Sequence, residues 1–274
     1  MEDDAFSEAA SILCVGIPSI FRNEPRLVRA MGDAGAFAVV VSALGIAEEG
    51  DGRFTLAAVQ AVVVPRAWAS SRRVRSLIDW LEWAGAAARH PARRDGRERP
   101  WSFCGWLPPA IARIARTFLA ATARWRRKAS SDLIWEDEPH VVKTLLTSVS
   151  RVMAAPQTVP IGPDMKLFAS HAAGLPILLE IMERAPPGGA STYSLPFSRK
   201  AISRSYGLSR AHVTAVLARA ERLEMLTREN SELVLTEAMR SRVLHDLACQ
   251  LAFVVLVLRK AQPPATNAIE TDRR

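Results

Sequence analysis

Cysteine is scarce in this chain. Cys14, Cys104 and Cys249 are far apart and odd in number, which excludes a disulfide framework and offers no zinc-ligand spacing. Buried, inert thiols are the expected state. The five histidines, His90, His140, His171, His212 and His245, show no metal-binding spacing either. No glycine-rich loop is built to cradle a phosphate, no nucleophile elbow occurs and no HExxH is present. The expectation is a protein that is not an enzyme, with no cofactor and no metal. Nothing recurs at solenoid periods, and strand-type runs are few. The apolar stretch Leu247–Leu258 is about twelve residues long and includes Gln250, too short by itself to span a bilayer. It reads as a buried helix. The opening Met1-Glu2-Asp3-Asp4 has the wrong charge for the n-region of a signal peptide, so a cytoplasmic protein without a membrane partner is expected.

What remains is an apolar, basic, helix-prone chain. Its 274 residues suffice for one large domain or two ordinary ones, and an apolar fraction of 49% excludes a disordered chain. Ala, Leu, Arg and Glu dominate the periodic segments, so a mostly α protein is expected. The net charge is +8, and its distribution is uneven. Residues 64–128 hold 15 Arg and Lys against 4 Asp and Glu, while the rest of the chain holds 21 against 24. A basic region of this kind is the footprint of an anionic partner.

The chain also says the same thing twice. Laying Gly35 on Gly174 aligns about fifty residues without a gap and puts Leu56 on Leu195, Ser70 on Ser209, Val74 on Val213 and Glu82 on Glu221. In the second copy, an apolar helix over Leu175–Arg184 ends at a Pro-Pro-Gly-Gly turn. Ser198 caps a short helix through Ser205, Gly207 marks a turn, and Ser209 caps a helix to about Glu224. Val213, Val216, Leu217 and Ala220 form its buried stripe. Short strands over Leu226–Arg228 and Leu233–Leu235 flank a polar turn, and Thr236 caps a long helix to about Lys260.

The first copy repeats the order: a helix over Ala34–Ala47, Thr55 capping a helix to Val64, Pro65 breaking it, and Ser70 capping a helix to Ala84. A basic hairpin follows from Ala86 to Phe103 with its turn at Asp95-Gly96, then a helix from Pro109 to about Lys128. The expected organisation is a loose arm over 1–22, a domain over 23–128, a linker with a packing helix near Val141–Met153 over 129–165, a domain over 166–261 and a tail over 262–274.

The segment Arg199–Ala218 meets the demands of a helix-turn-helix. Ile202, Tyr206, Leu208, Val213 and Val216 supply the apolar contacts, Ser203 the close approach and Gly207 the turn. With Ser209–Leu226 and Leu235-Thr236-Glu237 after the hairpin, the second copy resembles winged helix-turn-helix transcriptional regulators of the MarR type. The first copy shares the resemblance through the repeat, with Trp68 where the turn glycine would be and Pro65 interrupting its leading helix. The resemblance implies two tandem winged helix-turn-helix domains with small β-hairpin wings, a fused pseudo-dimer that binds double-stranded DNA. A single chain or a homodimer of such chains would serve, and a small-molecule effector stays open.

The residues expected at DNA follow from chemistry at helix tips and wings. A capped helix N-terminus offers free N–H groups and a positive dipole end to phosphate. Ser71, Arg72, Arg73 and Ser76 lie off the buried stripe of the first recognition helix. Ser209, Arg210, His212, Ala215 and Arg219 do so on the second. An arginine there can grip guanine O6 and N7, worth roughly 1–3 kcal/mol of discrimination. Arg89, Arg93, Arg94, Arg97 and Arg99 crowd one hairpin and suit phosphates or a narrow minor groove. Recognition helices reading half-sites about 34 Å apart are the expected geometry. Two other readings share the sequence: a plasmid-type replication initiator with two winged helices, and a protein-interaction adaptor. All seven tryptophans fall between Trp68 and Trp135, where core packing is the plainer account and base stacking the sharper one. Trp83 lies on the outward face of its helix.

Overall fold

The computed structural model describes residues 4–91, 99–126, 138–154, 162–185, 192–229 and 232–261. They form a mostly helical protein with small antiparallel sheets. Helix α1 (Asp4–Asn23) is the first surprise. Ala9, Leu13, Ile17 and Phe21 recur every four residues along it, and Leu13 is wholly buried. The expected loose arm is therefore a core helix, because its apolar stripe has two partners waiting: α6 (Leu107–Arg126) and α9 (Gly174–Arg184). Gly16 permits the approach to α6, since a Cβ there would sit 2.6 Å from Thr117 Cγ2. Phe6 packs edge-on to Trp125, and Glu8 pairs with Arg124.

The first half continues with α2 (Arg26–Met31), α3 (Ala34–Glu49), α4 (Leu56–Val63) and α5 (Ser71–Trp83). Strands β1 (Ala87–Arg89) and β2 (Trp101–Phe103) pair with Ala87 opposite Phe103, and Phe54 bridges to Trp101 on the other side of β2. The second half runs α7 (Glu138–Ala154), α8 (Pro163–Ala169), α9, β3 (Thr192–Pro196), α10 (Arg199–Ser205) and α11 (Arg210–Arg222). It closes with β4 (Leu226–Glu229), β5 (Glu232–Thr236) and α12 (Glu237–Ala261). Its sheet has the order β3-β5-β4, with Leu195 opposite Leu233 and Leu226 opposite Leu235. Strand β3 has no counterpart among the sequence expectations, and the Phe54 bridge is its one-residue equivalent in the first half.

The order of elements thus recurs in full, leading helix included. The recurrence reaches single hydrogen bonds. Ser70 and Ser209, 139 residues apart, cap α5 and α11 by accepting from the backbone N–H three residues on. Ala86 N donates to Leu81 O and Met225 N to Ala220 O, at the same spacing. Gly85 and Glu224, again 139 apart, both take the left-handed conformation, with φ of +69° and +55°. The turns before the capping serines differ by one residue. Ala67 (φ +56°) stands for Gly207 (φ +63°), so Trp68 is freed from the demand for positive φ.

The leading helices cross over. α1, from the first half, packs on α9 of the second, and α7, from the second, packs on α3 of the first. Gly45 of α3 lies against Ser150 of α7 with no room for a side chain. One hydrophobic cluster runs through both halves, so 23–128 and 166–261 share a core instead of standing as separate bodies. The helix expected near Val141–Met153 is present as α7, a packing helix lying against α3 and α12. Helices Asp4–Asn23 and Glu237–Arg259 are long and apolar enough to cross a membrane by length and composition, which the stretch Leu247–Leu258 alone did not suggest. Both contribute residues to the packed interior. The polar N-terminal part of α12 is tied down by Tyr193 to Glu237 and by Arg242 to the buried Asp164.

Candidate nucleic-acid interface

The tip of α5 is built by local chemistry. Ser70 is extended (φ −72°, ψ 156°), and its hydroxyl accepts from Arg73 N, leaving the N–H groups of Ser71 and Arg72 open. Val74, Leu77, Ile78 and Leu81 bury one face. Ser71, Arg72, Arg73 and Ser76 are accordingly exposed, as is Arg75, which sequence reasoning passed over. Arg72 and Arg75 have no hydrogen bond or ion pair among the described residues. Arg73 does: its Nη2 donates to both oxygens of Asp33, at 2.7 and 2.6 Å. Asp33 is itself the cap of α3, accepting from Gly35 N and Ala36 N. Arg73, expected to read base edges, is thus committed to a structural pair that clamps α5 onto the start of α3.

The second tip follows the same plan with different atoms. Ser209 caps α11 by accepting from His212 N at 3.1 Å. Ser209, Arg210, Ala215 and Arg219 are exposed, and neither arginine is paired among the described residues. His212 is half-buried, and its Nε2–H donates to Ala172 O at 3.1 Å. It clamps α11 onto the start of α9, as Arg73 clamps α5. Neither clamp could be read from the sequence, because its acceptor lies 40 residues away.

Of the hairpin arginines, Arg93, Arg94 and Arg97 lie outside the described residues, as does the turn at Asp95-Gly96. Arg99 is exposed. Arg89 lays its guanidinium 4.8 Å over the ring of Trp101, a cation–π contact at the root of the hairpin. Arg228, at the matching place in the second half, is drawn back by Glu221 of α11.

Beside the α5 tip, and reaching the turn before α11, lies an open groove of about 780 Å³. Arg26, Arg29, Arg72 and Arg73 line it from the first half, and Tyr206 and Gly207 from the second. Asp33 is its single lining carboxylate. Arg26 pairs through two nitrogens with Glu24 and stacks at 4.5 Å on Trp106. Arg29 stacks at 4.7 Å on Trp80 and has no ion pair among the described residues. These α2 arginines had no sequence signal of function, since their aromatic seats come from α5 and the start of α6.

Tyr206, which lines the groove, is anchored by a buried carboxylate. Glu180 of α9 accepts from Tyr206 Oη at 2.8 Å, Arg22 Nη1 at 3.1 Å and Arg184 Nη2 at 2.6 Å. Burial, and then the charge of Glu180, push the Tyr206 phenol well above the ordinary tyrosine range. The turn before α11 is thereby tied to α1 and α9.

Among the described tryptophans, Trp80, Trp101 and Trp106 follow the packing account, while Trp135 lies outside the described residues. Trp80 meets Trp106 edge-on, Trp101 Nε1 donates to Glu82 and Trp106 Nε1 to Ala84 O. Trp83 departs from it, at 83% exposed. Cys14 is buried, and its thiol is pushed up to about 12, chiefly by desolvation. Cys104 and Cys249 are partly exposed, against the expectation that all three are buried. Among the described residues no group of three metal-ligating side chains occurs. Searches against family models, curated proteins and solved structures each gave no match to this chain.

Proposed function

We propose that this chain binds double-stranded DNA through two winged helix-turn-helix units, as a regulator of transcription. The observation that carries the reading is the doubled helix, left-handed turn, helix and hairpin, each second helix exposing a serine-capped tip with unpaired arginines. Among the described residues these are Arg72 and Arg75 on α5 and Arg210 on α11, with Arg219 unpaired further along, in the last turn of α11. The tip offers open N–H groups to phosphate, and the arginines offer planar pairs of donors to phosphate or guanine. The excess of positive charge in residues 64–128 supports a stronger grip by the first half.

The test is fluorescence anisotropy of the full chain against a pool of genomic duplexes at two salt concentrations. Affinity should fall steeply with salt, because each phosphate contact releases counterions. Arg75→Gln and Arg219→Gln should each weaken it. Absence of duplex binding at low salt overturns the reading. One observation favours a second reading, a protein-docking module: Trp83 and Leu223 are exposed by 83% and 54% at the C-terminal ends of α5 and α11. Partner capture that survives high salt and is lost in Trp83→Ser would support it.

A further inference from the structure

We infer that the groove between the halves seats a single phosphate strand, gripped by Arg29 and Arg72, so that both helix tips address one short uninterrupted stretch of duplex. The inference rests on the DNA reading above and replaces the expected half-sites one helical turn apart.

The tips are joined by a short series of contacts. Arg73 at the α5 tip is ion-paired with Asp33, at the start of α3. The neighbouring Gly32 touches the start of α9, where a Cβ would stand 2.9 Å from Ala173 N. Ala172, next in line, accepts from His212 at the α11 tip. An ion pair, a backbone contact and a hydrogen bond in series cannot hold two tips a full helical turn, roughly 34 Å, apart. That Arg72 and Gly207 line the same groove says the same.

The chemistry of the groove fits a phosphodiester chain. Two of its four arginines are already engaged, Arg26 by Glu24 and Arg73 by Asp33. Arg29 and Arg72 are exposed and have no ion pair among the described residues. Stacking on Trp80 uses the face of the Arg29 guanidinium and leaves its edge donors free, already oriented. Arg72 stands at the open end of α5, a helix of 13 residues, where the backbone N–H groups of Ser71 and Arg72 also face outward. Two free guanidiniums, a helix tip and an open groove suit successive phosphates better than a single small anion.

The experiment measures binding of the full chain to blunt duplexes of about 14 and about 30 base pairs across a salt series, with affinities corrected for the number of registers. The shorter duplex is a little over one helical turn. It should bind within about threefold of the longer one if a single segment is read. Arg29→Gln and Arg72→Gln should each lower affinity for all sequences and cut the salt slope by about 1. Arg72 makes no ion pair among the described residues, so Arg72→Gln should leave thermal melting unchanged. Arg29→Gln also loses the stack on Trp80 and is measured at a temperature where both proteins are folded; Arg72→Glu supplies a second, stronger variant.

A short duplex more than tenfold weaker would overturn the inference and restore separated half-sites while leaving the DNA reading in place. Unchanged salt slopes in the Arg29 and Arg72 variants would also overturn it. Binding of inorganic pyrophosphate in the groove with no binding of either duplex would overturn both.

Discussion

Removing the carboxylate of Glu180 should loosen the turn that carries α11. Glu180 is 5% exposed and Tyr206 1%, so their hydrogen bond is sheltered from water. A bond to an ionised partner contributes roughly 1.5–3 kcal/mol. In Tyr206→Phe the carboxylate keeps Arg22 and Arg184, so the lower end applies, about 1.5 kcal/mol. In Glu180→Gln the charge itself goes. The Arg22 and Arg184 side chains are 33% and 41% exposed, and water softens the loss of each pair to about 0–1 kcal/mol. Together with the weakened phenol bond, the cost should be about 2–3 kcal/mol. Urea unfolding followed by tryptophan fluorescence measures both variants and the double mutant. The two sites share one bond, so the cycle should show a coupling of about 1 kcal/mol. Additive effects, each below about 0.5 kcal/mol, would refute the claim that this network holds the turn.

Three further outcomes follow from particular groups. The folded state keeps the Tyr206 proton beyond the point, near pH 10, where an unfolded tyrosine gives its proton up. Stability should therefore fall as pH rises above about 10, by up to about 1.4 kcal/mol per unit, and Tyr206→Phe should flatten that slope in pH-dependent urea melts. Cys14, with its thiol pushed up to about 12, should resist iodoacetamide in the native protein while Cys104 and Cys249 react; early labelling of Cys14 by mass spectrometry would contradict its burial. Glu224 holds a left-handed conformation where the first half has glycine, so Glu224→Gly should stabilise the chain by about 0.5–1 kcal/mol in thermal unfolding, and a destabilised variant would show the strain to be absent.

Much of the local structure was legible in advance because its causes are local. Thr55, Ser70, Ser198, Ser209 and Thr236 cap the helices they precede, each by accepting from a nearby backbone N–H. Val74, Leu77, Ile78 and Leu81, like Val213, Val216, Leu217 and Ala220, are buried as their spacing requires. Gly207 turns where a glycine is needed. In each case a few neighbouring residues and one backbone rule suffice.

The sequence by itself marked α3 to α7 and α9 to α12 as helices and placed serine or threonine caps on five of them, but left α1, α2 and α8 unmarked. Only the tertiary structure decided what those helices face. An apolar stripe at the N-terminus is silent about its partner, so α1 could not be placed between α6 and α9 until both were folded. The strand β3 exists because β5 offers it an edge, and Arg73 is a clamp because Asp33 is brought within reach of it. Burial pattern and capping are written in consecutive residues, whereas pairing across 40 or 158 positions, as in Arg73–Asp33 and Arg22–Glu180, depends on the packing of every element between.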